Sequence, residues 1–443
     1  MLYLDPHVHA RRWKTLPVLC LSLAMVMIAN GSLNVALPAL ARDLDASPSS
    51  LQWMVDAYAL VFAGLLFTAG TLGDRFGRKG ALQAGLVLFL AASLTATFVD
   101  SATGVIACRA VMGIAAAFVM PSTLSILTSI FPPEERGKAI GLWAGIAAGG
   151  AALGPVTTGF LLEHFWWGSV FLVNVPIVAM AFVLGARLVP KSPDRGDEPL
   201  DLPGAGLSIL AIGALVYAII EAPLHGWASS DTLLVFAGAA VLLGLFFWRE
   251  RTAAHPMLDL ALFRDPRFSV ASAGIAFAFF AMFGTFFLVT QYLQLVLGYR
   301  PMTAGLTMLP VSLTMTILAP QAPRLVARFG AARVVGYGLG LTSLGLVMFS
   351  TLGTSSPVSL VYVAYIPMMI GMSVSMSPLT TLIMSSVPPA RAGIGSAMND
   401  TTRELGGALG VAVLGSLLTT GYGSSISSSL GGLSPVDAQL ART

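Results

Sequence analysis

Charge is what this sequence has least of. It holds 24 basic and 21 acidic residues among 443, a charged fraction of 10%, where an ordinary soluble domain carries about 25%. A water-soluble fold of this size cannot cover its surface with so few charges. That excludes a soluble enzyme, a nucleic-acid binder and a disordered chain. The net charge of +3 is too small to argue for an anionic partner. Cysteine is nearly absent: Cys20 and Cys108 both lie in apolar runs, so neither a disulfide framework nor a thiolate metal site is expected. The five histidines do not cluster, and His7 and His9 read as part of a polar tail rather than a metal site. There is no GxxxxGK[ST] phosphate loop and no connection long enough for a nucleotide-binding domain. No metal or other cofactor is expected, and any work must be driven by an ion or solute gradient.

What the sequence has in abundance is apolar length, with 56% hydrophobic residues. Crossing a hydrocarbon core of about 30 Å takes about 20 apolar residues as helix. Runs of that kind fall at 15–38, 50–73, 80–99, 102–130, 136–162, 167–189, 203–223, 231–250, 268–297, 302–322, 332–351, 357–387 and 391–420, thirteen in all. They are continuously apolar rather than alternating, which excludes a membrane β-barrel. The first run is too long for a cleaved signal and lacks a small-residue cleavage site. With the N-terminus in the cytoplasm, nineteen Lys and Arg fall on the cytoplasmic side against three, Arg42, Arg300 and Arg442, on the other. The bias alternates through every loop, as positive-inside orientation requires. Residues 421–443 form a Ser/Gly-rich tail too polar to cross, so an odd count leaves the C-terminus outside.

Two loops use one device. DRFGRKG at 74–80 joins the second and third runs, and ARFGAAR at 327–333 joins the tenth and eleventh. An Arg-Phe-Gly turn at corresponding places in two multi-helix blocks points to duplication, the architecture of many secondary transporters. Ionisable groups inside the runs are costly and so point to function. Asp56 lies in the outer third of the second run, and Arg109 lies in the fourth. In the thirteenth, Asp400, Arg403 and Glu404 share one helical face by their three- and four-residue spacing. This trio is either a self-satisfied ion pair or a proton site. Two acids against one base leave a carboxylate unbalanced, as a proton carrier needs. Asp56 either attracts cations at the outer mouth or is a solvated interfacial carboxylate.

The stretch GTLGDRFGRKGAL, with Gly70, Asp74, Arg75, Gly77, Arg78 and Lys79, resembles the signature loop of the major facilitator superfamily. Arg109 with Gly113, the run GIAAGGAALGPVTTG, and SAMNDTTRELGGALG follow in the order of that family's 14-helix drug:proton antiporter branch. The resemblance covers essentially the whole chain. It implies an all-α polytopic membrane protein with the major facilitator fold: two pseudo-symmetric bundles, two bridging helices and a fourteenth helix missing. It also implies that Asp74 docks on the N-terminus of a helix in the other half, here the one entered at Arg391, as a latch for the outward-open state. Read without the resemblance, that loop is an orientation signal. Arg109 matches the family arginine linked to proton relay. Gly145, Gly149, Gly150, Gly154, Pro155 and Gly159 match the antiporter motif, expected to make a tight contact between the halves that blocks leakage. Their spacing alone allows ordinary close helix packing, and Pro155 is expected to kink the helix. Thr158 replaces a motif glycine, and a looser contact is expected there. Ala29 stands where many multidrug members carry Asp, and the tenth run has no acid, which narrows the proton or cation sites to Asp56 and the thirteenth run.

The expected organisation is a cytoplasmic N-terminal tail at 1–14, a six-helix bundle at 15–189, a bridging segment at 190–267, a five-helix bundle at 268–420 and the tail at 421–443. Phenylalanines 277, 279, 280, 283, 286 and 287 either line a pocket for aromatic cations or face lipid. Met368, Met369, Met372 and Met376 are adaptable side chains suited to a promiscuous pocket, and read first as packing filler. The expected activity is export of hydrophobic, cationic drugs in exchange for protons, by a monomer in the inner membrane with no partner beyond substrate and lipid bilayer. The alternatives are an exporter of one metabolite or self-made antibiotic, or a truncated, non-transporting membrane protein.

Overall fold

The computed structural model describes residues 6–191, 201–253, 256, 260–353, 356–387 and 392–430. Among them there is no strand, and the order of helices follows the apolar runs. The first half holds α1 (Pro6–Asp43), α2 (Pro48–Phe76), α3 (Arg78–Thr97), α4 (Ala102–Ile130), α5 (Pro133–His164), the short α6 (Ser169–Leu172) and α7 (Asn174–Leu188). Helices α8 (Leu202–His225) and α9 (Ser230–Thr252) follow as a hairpin. The second half holds α10 (Pro266–Gln291), α11 (Pro301–Leu306), α12 (Leu309–Leu318), α13 (Ala322–Phe329), α14 (Ala331–Ser350), α15 (Val358–Ser385) and α16 (Ala392–Leu430).

Local chemistry sets the starts. The Ser47 hydroxyl accepts from the Ser50 amide at 3.2 Å with Pro48 beginning α2, and the Ser101 hydroxyl accepts from Gly104 at 3.2 Å. Ser229 and Asp265 cap α9 and α10 in the same manner, at 3.2 and 2.8 Å. Each satisfies a backbone donor that the first helical turn leaves open.

Eleven helices among the described residues are long and apolar enough to cross a membrane. The two further runs read from the sequence are 136–162, inside the 32-residue α5, and 302–322. The second of these is not one helix. Prolines 301, 310, 320 and 323 divide it into α11, α12, a 3-10 turn at Ala319–Gln321 and α13, because proline removes a backbone donor and clashes with the preceding turn. By contrast α5 runs unbroken through Pro155. Two ends also differ from expectation. Residues 6–14 are the first turns of α1 rather than a loose tail, so His7 and His9 are helical, and α16 continues to Leu430, past the expected end at 420.

The repeat is visible in the packing. In the first half α1 lies on α5 and α3 on α4; in the second α10 lies on α16 and α14 on α15. The two Arg-Phe-Gly turns are the same turn, with Gly77 at φ 96° and Gly330 at φ 82°. That left-handed region is open to glycine at little cost. The bridging helix α8 rests against α2 and α16, one from each half. The end of the bundle bearing the Arg-Phe-Gly turns is called the arginine-rich end below.

Candidate functional site

The two halves meet at the arginine-poor end. Gln294 donates from its side-chain amide to the Val35 carbonyl at 3.0 Å, and the Met302 amide donates to Glu163 Oε1 at 3.3 Å. A Cβ on Gly159 would stand 2.6 Å from the Pro301 carbonyl oxygen, and one on Gly305 would strike the carbonyl of Pro155. Gln52 of α2 lies beside Gly415 of α16, with its amide nitrogen 2.6 Å from where a Cβ would sit. α8 is tied to the same end by Ser416, whose hydroxyl donates to the Ile219 carbonyl at 2.7 Å.

These contacts divide the antiporter motif. Gly150 and Gly154 let α5 approach α1 within its own half, and Ser32 donates to the Gly154 carbonyl at 3.3 Å. Among the described motif residues, Pro155 and Gly159 are the ones that face the other half. Thr158, in the place of a motif glycine, is buried. The surroundings of Gly145 and Gly149 lie outside the described residues.

The site's two first-half charges, Asp56 of α2 and Arg109 of α4, lie on different sides of α2. Arg109 of α4 is 1% exposed, donates from Nε to the Met54 carbonyl at 3.0 Å, and holds its guanidinium carbon 4.3 Å from the centre of the Tyr58 ring. Gly113 brings α4 this close: a Cβ there would be 2.5 Å from the Tyr58 carbonyl oxygen. Successive helical residues turn about 100°, so Asp56 points nearly opposite to Tyr58. One turn further along α2, Ala59 and Leu60 pack with Val216 and Ile220 of α8 and with Ala408 and Ala412 of α16. Asp56 is 0% exposed, and neither carboxylate oxygen has a hydrogen-bond partner. It is not a solvated interfacial group. The structure does not bring Asp56 and Arg109 together.

Arg109 is within electrostatic reach of the second half. Glu404 lies within electrostatic reach of Arg109 and Tyr58 across the interface, and of Asp400 and Arg403 on its own helix. Asp400 Oδ1 accepts from the Asn399 side-chain amide at 3.3 Å, and Asn399 Oδ1 accepts from Thr380 of α15 at 3.2 Å. Arg403 Nη1 stands 3.8 Å from Asp400 Oδ1. The three ionisable residues of α16 thus share one face, as their spacing predicts.

The signature loop is bound within its own half. Arg78 donates to the Ser125 carbonyl at 2.9 Å, and Lys79 donates to the carbonyls of Ala186 and Val189, both at 2.7 Å, closing the end of α7. Gly70 lies in α2 with open space about it. The side chains of Asp74 and Arg75, and Arg391 at the helix they were expected to reach, lie outside the described residues.

Sequence reasoning missed Tyr58, Gln52, Asn399 and Thr380. The first two sit in QWMVDAYAL beside Asp56, and a polar atom within an apolar run was the available signal. Among the described residues no group of three or more His, Cys, Asp or Glu could hold a metal ion.

Comparison with known proteins gives the wider frame. Residues 19–411 match the family model described as Major Facilitator Superfamily. The chain is 38% identical over 401 residues to "Multidrug resistance protein Stp" of Mycobacterium tuberculosis, covering 90% of this chain and 74% of that protein. It is 37% identical over 417 residues to "Multidrug efflux pump LfrA" of Mycolicibacterium smegmatis, covering 94% and 82%. Against "Methyl viologen resistance protein SmvA" of Salmonella typhimurium it is 39% identical over 430 residues, covering 94% and 84%. Among solved structures, an inward-facing, unoccupied bacterial homologue of the human lysosomal transporter Spinster has the same fold, with a TM-score of 0.67 at 18% identity over 96% of this chain and 85% of that one. With its repeated helical halves, its signature turn and these relatives, the chain is a multi-pass membrane protein belonging to the major facilitator superfamily.

Proposed function

We propose that this protein exports hydrophobic organic cations in exchange for protons, by alternating access between two half-bundles. The observation that carries this reading is the clustering of charges between the halves: Glu404 of α16 lies within electrostatic reach of Arg109 and Tyr58 of the first half, with Asp400 one turn away. A carboxylate there can hold a proton or a cation, and which one it holds alters its attraction to the fixed guanidinium opposite. Asp56 adds a second buried carboxylate with no partner of its own. Relatives named for multidrug efflux and methyl viologen resistance support the cationic class. The proton gradient replaces any cofactor. The protein works as a monomer in the inner membrane, with no nucleic acid and no partner beyond substrate and lipid. Its arginine-rich end faces the cytoplasm, as the basic loops direct, so the contacts at the arginine-poor end close it to the outside.

The test is transport in proteoliposomes with an acidified interior and an added aromatic cation. The wild type is expected to take up the cation and release protons. Asp400→Asn with Glu404→Gln is expected to lose about 100-fold in gradient-driven uptake, the low end of the usual scale for removing a proton-transfer group. An unchanged rate and stoichiometry would overturn the assignment. The second reading, export of one metabolite, is favoured by the 32% identity over 417 residues to "Tetracenomycin C resistance and export protein" of Streptomyces glaucescens. Movement of a single neutral compound, with no cation transported, would decide for it.

A further inference from the structure

The chain makes tight arginine contacts where they serve structure. Arg12 grips Glu135 with two hydrogen bonds at 2.8 and 2.9 Å, and Arg249 lies 2.9 Å from Asp201. Arg403 does neither. Its nearest carboxylate oxygen is 3.8 Å away, at the far limit of an ion pair, and its Nε is buried without a hydrogen-bond partner. Its guanidinium carbon stands instead 5.4 Å from the centre of the Phe279 ring on α10. Phe279 stacks on Phe283 one turn on, with ring centres 6.0 Å apart and planes 26° apart, so α10 offers a two-ring aromatic face. The group is open on one side, with the Arg403 side chain 32% exposed and that of Asp400 20% exposed. Gly406 and Gly410 hold α16 against α10 at this level, with their backbones beside the carbonyls of Ala276 and Phe280.

A flat delocalised cation over an aromatic ring, with carboxylates within a helical turn, is what a site for an aromatic organic cation consists of. Here the chain supplies the cation itself. We propose that Arg403 is an internal stand-in for substrate: in the empty protein its guanidinium covers the Phe279 face beside Asp400 and Glu404, and an arriving aromatic cation displaces it. This rests on the export reading above and narrows its substrate class to flat, delocalised cations. A neutral compound gains less, because it gives up the ring-to-guanidinium contact without replacing its charge. While the site is empty, Arg403 also keeps the two carboxylates beside a positive charge.

The test uses the purified full-length protein and ethidium, a flat aromatic monocation whose fluorescence reports binding. Four proteins are compared: wild type, Phe279→Leu, Arg403→Gln and the double variant. Displacement predicts that Phe279→Leu alone alters the Kd less than about 2-fold, because ligand and guanidinium lose the ring alike. Arg403→Gln is expected to bind about 10-fold tighter, and adding Phe279→Leu to it to cost about 10-fold. An equal cost of Phe279→Leu in both backgrounds would mean that Arg403 merely repels cations, and would overturn the stand-in while leaving export intact. A wild type that neither binds ethidium nor moves any cation under a pH gradient overturns export and this inference together. If Arg403→Gln does not fold, Arg403→Lys replaces it. Lysine keeps the charge but cannot lie flat, so binding about 3-fold tighter is expected, with the Phe279 cost between the two extremes; a cost equal to that in the wild type overturns the stand-in.

Discussion

The first half is one core; the second is several. In the first, most buried apolar side chains form one cluster from Leu16 on α1 to Val189 beyond α7, which also takes in Phe287 of α10 and Val411 of α16, and Arg109 is fixed inside it. In the second, one cluster gathers around Ala281, Val289, Tyr365 and Met368, and another around Phe268, Ile275, Leu379 and Met398. Phe279 packs at the edge of the second of these, and Asp400, Arg403 and Glu404 on α16 follow its member Met398. Tight apolar packing has little room for a charge that changes: the α16 acids stand beyond the edge of their half's cluster, and Asp56 of the first half lies one turn from the contact of α2 with α8 and α16 rather than inside the large core. The same asymmetry marks the helices: α2 is unbroken, whereas its counterpart in the repeat is the proline-divided stretch from α11 to α13.

That divided stretch is also what the first half touches, and breaking the touch is the largest expected effect. Gly305→Leu places a side chain against the backbone carbonyl of Pro155, which cannot move without moving α5. The available relief is to part the halves at the arginine-poor end. Transport is expected to fall about 100-fold, while each half keeps its own core and thermal unfolding shifts little. Uptake in proteoliposomes, with cross-linking of cysteines introduced at that end, checks it. Full transport by this variant would show that closure there is no part of the cycle.

A smaller effect separates the two arginines. Arg109→Gln leaves the Met54 carbonyl and the Tyr58 face without their cation inside a continuous core, a loss of about 2–3 kcal/mol. Arg403→Gln gives up a long, partly exposed ion pair and a contact with the Phe279 ring, together within about 1 kcal/mol. Scanning fluorimetry is expected to show several degrees of lowered unfolding temperature for the first variant and little for the second. Equal shifts would erase the distinction between a fixed and a displaceable charge.

Much of this was legible beforehand, for physical reasons. Thirteen apolar runs, the alternating basic loops and the two Arg-Phe-Gly turns depend on composition and local geometry, which sequence records directly. The shared face of Asp400, Arg403 and Glu404 followed from helical period alone. What stayed hidden was every relation between helices. Nothing in the spacing of α2 says that Asp56 faces α8 and α16 while Tyr58 faces α4. The motif on α5 reads as one feature, yet Gly150 and Gly154 serve the half while Gly159 serves the interface. Four prolines within 302–322 and just beside it signalled a broken span, and that signal was outweighed by apolar length.

The smallest effect tests whether the first half moves as one body. Arg12 near the start of α1 holds Glu135 at the start of α5, and this guanidinium keeps the Glu135 carboxyl below the usual carboxylate range. Because the native value is depressed, the pair's contribution is complete above the ordinary glutamate value of about 4.3 and fades as pH falls through the lower native one. Glu135→Gln should therefore unfold slightly earlier than wild type from about pH 5 to 8. The two should converge in stronger acid, and the gap should narrow in about 1 M salt, where screening acts within about 3 Å. Since α1 and α5 belong to one continuous core, the clamp stabilises a body that rocks as a unit and does not gate it. Transport by the variant is expected to match wild type at neutral pH. A changed rate would mean that α1 and α5 shift against each other during the cycle, and that the first half is as divided as the second.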